Sequence, residues 1–166
     1  MMKNKMRRIR NTLVIALMLL PGLGVFAQDG KKFAFGLGPE WNMNSRSFFA
    51  AGAVLTGDYA LPVSIPFSAG LTVTASTNFA GFTVIEPEAT FRWYFLGGDH
   101  TGWFVQAEGG VFLCMEDGEL SPMVLGGLRG GIRLPLTTQF YIEPYGRLGY
   151  PFAFGIGVIA GIRLPN

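Results

Sequence analysis

The chain has 166 residues, 49% of them hydrophobic and only 14% charged, with 24 glycines, 15 phenylalanines and a formal charge of +2. A soluble domain carries roughly 25% charged residues and a disordered chain far fewer apolar ones, so the composition excludes disorder and points to a non-aqueous neighbour. Five basic residues (Lys3, Lys5, Arg7, Arg8, Arg10) crowd the first ten positions; without them 8 basic face 11 acidic residues, a balance that argues against a nucleic-acid partner.

The basic start, the apolar run Leu13 to Leu20, and Val25-Phe26-Ala27 with its small or β-branched −3 and −1 positions form a secretory signal peptide over residues 1–27, cleaved after Ala27. Eight apolar residues make a helix of about 12 Å, too short for a hydrocarbon core of about 30 Å, so a helical anchor is the weaker reading. The mature domain is then 28–166.

No later stretch is long and apolar enough for a spanning helix, and a two-residue period takes over. From Lys32 to Met43, Phe33, Phe35, Leu37, Pro39, Trp41 and Met43 alternate with Lys32, Ala34, Gly36, Gly38, Glu40 and Asn42. The segment Phe49 to Leu61 follows more loosely, with Asp58 on the polar face. Phe67 to Phe79 sets Leu71 and Val73 against Thr72 and Thr74, and Ile85 to Phe95 sets Phe91, Trp93 and Phe95 against Glu86, Glu88 and Arg92. Trp103 to Leu113 carries Glu108 on the polar face, and Val124 to Leu134, which also follows more loosely, carries Arg129 and Arg133 there. Phe140 to Tyr150 places Glu143 and Arg147 opposite Phe140, Ile142 and Leu148. The last segment sets Phe152, Phe154, Ile156, Val158 and Ile162 against glycines and Arg163. The pattern predicts eight antiparallel strands separated by turn-rich breaks at 44–47, 62–66, 80–81, 97–102, 117–122, 135–139 and near Pro151. Strands of this length, even in number, suit a closed barrel that crosses a bilayer with both termini on one side.

Alternation alone also describes a soluble, ligand-carrying barrel with its apolar face inward. The polar face favours the opposite orientation. It holds six acids (Glu40, Asp58, Glu86, Glu88, Glu108, Glu143) and five bases (Arg92, Arg129, Arg133, Arg147, Arg163), and no lysine occurs after Lys32. A solvated outer surface would be lysine-rich, whereas balanced Glu and Arg suit a crowded interior in which charges pair. The apolar face is banded by Tyr59, Trp93, Phe95, Trp103 and Phe140 beside one set of turns, the placement expected of an aromatic girdle. Pro39, Pro87 and Pro144, each next to a glutamate, lack a ladder donor and predict bulges or kinks.

With its signal peptide, eight alternating segments and runs such as Glu86-Pro87-Glu88-Ala89-Thr90-Phe91-Arg92-Trp93-Tyr94-Phe95, the mature chain resembles small bacterial outer-membrane β-barrels, the class that includes OmpX, OmpW and the OmpA membrane domain. The resemblance implies an all-β, eight-stranded up-and-down transmembrane barrel, a bacterial outer-membrane location, lipid and the barrel-insertion machinery as partners, and a monomer. Periplasmic termini would put the breaks at 62–66, 97–102 and 135–139 in the periplasm. Gly131-Ile132-Arg133-Leu134-Pro135 and Gly161-Ile162-Arg163-Leu164-Pro165 would then repeat at one membrane level, and the extracellular loops would be short, the longest being 117–122.

Catalytic signals are weak. The single histidine, His100, falls in a predicted periplasmic turn, away from the outer rim where a lipid-modifying triad would sit. Glu116, Asp117 and Glu119 lack the spacing of a calcium loop, and the single Cys114 reads as a packing thiol that permits neither a disulfide nor a cysteine-rich metal site. Gly126-Gly127 and Gly130-Gly131 precede no helix, so they form no phosphate loop. No cofactor is implied. The expected function is a non-enzymatic barrel whose lumen is filled by Glu and Arg, serving envelope structure or surface interaction. The alternatives are a narrow channel for small or apolar solutes, which the resemblance to OmpW implies, and a soluble periplasmic ligand-binding barrel.

Overall fold

The computed structural model describes residues 33–44, 49–61, 66–96, 100–116 and 118–164. The expected signal peptide and residues 28–32 lie outside them. Eight strands follow one another: β1 (Phe33–Asn44), β2 (Ala50–Ala60), β3 (Phe67–Thr77), β4 (Phe82–Leu96), β5 (Gly102–Glu116), β6 (Glu119–Pro135), β7 (Phe140–Tyr150) and β8 (Phe152–Arg163). Each pairs antiparallel with the next, and β1 pairs with β8, which closes an up-and-down barrel. Ala34 opposite Arg163 puts the start of β1 and the end of β8 at one end, called here the near end. The far end carries the β1–β2, β3–β4, β5–β6 and β7–β8 connections.

The period of two decides the two faces because successive side chains of a strand point to opposite sides of the sheet. Leu37, Leu55, Leu128 and Leu148 point outward at 55–60% exposure, while the alternate residues close the interior. An 11-residue strand such as β2, rising about 3.3 Å per residue and tilted about 40°, projects to about 28 Å along the axis.

Three features depart from the expectations. First, the break expected at 117–122 shrinks to 117–118. Glu116 pairs with Glu119, and Gly118 has φ 80°, because an Asp-Gly pair is a sufficient two-residue hairpin turn. Consequently β6 is 17 residues long, and Glu119 to Leu125 pair with β5 but not with β7, whose ladder begins at Gly126 opposite Tyr150. Second, Phe152 is buried instead of joining the outer face. The β1–β8 register slips between Met43 and Asn44, so that Phe154 faces Met43, Phe152 faces Asn44, and the residue between is left over; the slip turns Phe152 inward. Third, Ile159, which belongs to neither set named from the sequence, is a fully buried interior residue.

The prolines acquire an explanation. Around each of them the residue pairing skips on one side only: between Leu37 and Glu40 toward β8, between Ile85 and Glu88 toward β5, and between Ile142 and Tyr145 toward β6. The register is the same before and after each gap. The missing N–H therefore interrupts one ladder without shifting it, and pairing on the other side of each strand continues.

The β3–β4 connection is tied by side chains: Asn78 Oδ1 accepts from the Ala80 and Phe82 amides at 2.9 and 3.1 Å, and Thr77 Oγ1 accepts from the Phe79 amide at 3.1 Å. At the near end Thr137 Oγ1 accepts from the Gln139 and Phe140 amides, which closes the β6–β7 turn.

Candidate functional site

The interior is the candidate site, and it contains two groups of charges. In the group toward the near end, Arg133 from β6 donates from Nε to Glu143 Oε2 at 2.7 Å and from Nη2 to Asp58 Oδ2 at 2.5 Å. Arg92 from β4 donates to Glu143 Oε2 at 2.9 Å and lies 3.3 Å from Asp58. Two carboxylates thus meet two guanidinium groups.

The second group is rich in acid. Arg147 from β7 pairs with Glu86, donates to Glu88 Oε1 at 3.1 Å and lies 3.6 Å from Glu40. Arg129 from β6 lies 2.5 Å from Glu108 and 4.0 Å from Glu88. Four carboxylates here meet two guanidinium groups, and neutral donors supplement them: Tyr145 Oη donates to Glu40 Oε2 at 2.6 Å, and Asn42 Nδ2 to Glu40 Oε1 at 3.3 Å. Gln106 joins the groups, accepting from Arg92 Nε at 2.7 Å and donating to Glu108 at 2.8 Å.

Each of the four arginines also lies against an aromatic ring: Arg92 on Phe104 at 4.1 Å, Arg129 on Tyr145 at 4.3 Å, Arg133 on Tyr141 at 4.3 Å and Arg147 on Phe152 at 3.6 Å. A ring face offers a desolvated cation an electrostatic partner where no further carboxylate fits. Glycines make room for these large side chains. Tyr141, Tyr145 and Arg147 stand directly opposite Gly161, Gly157 and Gly155 of β8. A Cβ at Gly157 would fall 2.4 Å from Tyr145 Oη, and one at Gly155 would fall 2.9 Å from Arg147 Cγ.

The sequence-derived polar residues Glu40, Asp58, Glu86, Glu88, Arg92, Glu108, Arg129, Arg133, Glu143 and Arg147 are all at most 6% exposed. Arg163 is a correction: it sits partly exposed at the near-end rim, where Nη2 donates to the Thr138 carbonyl at 3.3 Å. There it shares a small recess with Asp58, Ser68, His100 and Arg133. Trp93, Phe95, Trp103 and Phe140 are 44–53% exposed on the outer face toward the near end, and Tyr59 packs beside Phe33 with ring centroids 5.2 Å apart. Reasoning from charge alone missed Asn42, Gln106, Tyr145 and the aromatic partners. Position on the polar face of the alternation was the available signal for all of them but Phe152, whose parity is that of the outer face.

The buried far end is different in character. Phe82, Val84, Phe112, Cys114, Leu125 and Phe152 form one apolar cluster there, with Met123 packed against it. Among the described residues no group of histidine, cysteine or carboxylate side chains has the arrangement of a metal site, and no helix is long and apolar enough to cross a membrane, which says nothing of a β-barrel.

No protein-family model matches the sequence, and no curated protein matches it. Solved structures do match. Neisserial surface protein A is similar with a TM-score of 0.62 and 12% identity, over 83% of this chain and 98% of that one. The N-terminal β-barrel domain of Pseudomonas aeruginosa OprF is similar with a TM-score of 0.52 and 10% identity, over 82% of this chain and 98% of that one. At these identities the likeness is one of architecture, and the architecture is that of the small eight-stranded outer-membrane β-barrels.

Proposed function

We propose that the chain is a non-enzymatic integral protein of the bacterial outer membrane, a monomeric barrel filled by its Glu/Arg network that serves envelope structure or surface interaction. The observation that carries this reading is the inverted distribution of residues. Arg92, Arg129, Arg133 and Arg147 are at most 2% exposed, while Leu37, Leu128, Leu148 and Phe140 lie more than half exposed on the outside. In water that outer surface would be an association liability, whereas in lipid it is the favourable one. Buried ion pairs are poor sources of net stability, but their large side chains can fill a narrow interior. Export by residues 1–27 and delivery to the barrel-insertion machinery belong to the same reading. The far end, where Glu119 to Leu125 pair with β5 but not β7, supplies the surface a partner would meet.

The test is planar-bilayer conductance of refolded 28–166, with unheated gel migration reporting the compact barrel. A folded barrel that passes no current is the expected result. Discrete conductance steps would replace the filled barrel with a narrow channel, and a mature chain that stays monomeric and soluble without detergent would overturn the membrane location.

A further inference from the structure

Buried apolar residues form two clusters in the interior, one with Ala34, Val54, Phe104 and Ile159 interleaved with the charges and one at the far end that holds no charged residue, and the second bears on which layer closes the barrel. In the acid-rich group Glu86 Oε1, Glu88 Oε2, Glu108 Oε2 and both Nη atoms of Arg129 have no hydrogen-bond partner within the protein, although their side chains are at most 6% exposed. Buried polar groups of this kind are the ones that internal water satisfies. The apolar cluster beyond them offers water nothing. It draws residues from β4, β5, β6 and β8, and β4 and β8 stand on opposite walls of an eight-stranded barrel. Phe152 reaches from β8 over β7 to β6: a Cβ at Gly127 or Gly149 would fall 2.9 or 2.6 Å from its Cζ, and its ring carries the Arg147 guanidinium on the polar side.

We propose that the permeability barrier of this barrel is the apolar layer built on Phe112, Leu125 and Phe152, and that the Glu/Arg network beneath it is a hydrated filling. The inference rests on the proposed membrane-barrel function and goes beyond it by moving closure from the ion pairs to the apolar residues. Truncating the layer is a poor test, because a cavity lined by apolar groups stays dry. Making it polar is a direct one. A constriction that excludes water by its apolar lining becomes permeable when the lining can hydrogen-bond to water.

The experiment compares wild type, Phe112→Ser/Phe152→Ser and Arg129→Met in planar bilayers. In parallel, Cys114, fully buried within the layer, is probed with a water-soluble methanethiosulfonate reagent on refolded barrels. We expect no current from wild type and Arg129→Met, discrete steps from the double variant, and at least tenfold faster labelling of Cys114 in the double variant alone. Leu125→Asn, which nearly conserves volume, replaces the double variant if unheated migration shows that the latter does not fold. A folded polar variant that stays silent with Cys114 protected overturns the proposal, as does conductance from Arg129→Met. Conductance from wild type overturns the filled-barrel function and the seal together, which distinguishes that failure from failure of the seal alone.

Discussion

Arg147→Met is the most informative single change to the network. The guanidinium pairs with Glu86, lies 3.1 Å from Glu88 and 3.6 Å from Glu40, and rests on Phe152. Methionine keeps much of the volume and removes the charge, so three buried carboxylates lose their shared cation. Removing one partner of a buried ion pair costs about 3–5 kcal/mol, so a loss of about 4 kcal/mol is expected. With a urea slope of about 2 kcal/mol per molar, the unfolding midpoint falls by about 2 M. Urea titration of the barrel in lipid vesicles, followed by tryptophan fluorescence and unheated gel migration, measures the shift. Adding Glu86→Gln removes one of the stranded charges and restores the wild-type charge balance, so Arg147→Met/Glu86→Gln should recover at least half of the loss. A single variant within about 1 kcal/mol of wild type, the range of exposed pairs, would refute the assignment of Arg147 as the shared cation. So would a double variant no more stable than the single one.

Four further outcomes are accessible to the same titration. Tyr145→Phe deletes the hydroxyl that donates to Glu40 at 2.6 Å and should cost about 1.5–3 kcal/mol, the worth of a hydrogen bond to a charged group. Gly157→Val places a Cβ 2.4 Å from that hydroxyl and 2.8 Å from the Pro39 carbonyl, so about 1–3 kcal/mol or more is expected from overpacking. Gly109→Ala, with no atom within 4 Å of the added Cβ, should leave the midpoint unchanged. Leu128→Arg on the outer face should cost about 2–4 kcal/mol in vesicles if the face meets lipid near the bilayer midplane, and a neutral result would contradict the membrane reading.

The eight strands were legible because alternation is a local signal that each segment carries in its own residues. The sorting of charges to one face was legible for the same reason. Two errors trace to local features overridden by neighbours or by turn chemistry. Phe152 shares the parity of Phe154, and only the slipped pairing with β1 turns it inward. The segment after Asp117 reads as a loop rich in turn residues, yet β5 offers Leu120, Ser121 and Pro122 partners in Met115, Cys114 and Leu113.

The sequence by itself determined an all-β chain with a period of two, an apolar face without lysine and a polar face of glutamates and arginines. Those properties depend only on the order of residues along a strand. The tertiary structure decided which charge meets which. Arg147 reaches Glu86 and Glu88 across about sixty residues of sequence, and Arg133 reaches Asp58 across 75. Such partners are fixed by closure of the barrel and by strand register, neither of which is written in the alternation. The seating of each arginine on an aromatic ring, and of Tyr145 and Tyr141 over the glycines of β8, was likewise decided there, since a small residue gains its meaning only from what the opposite strand places above it.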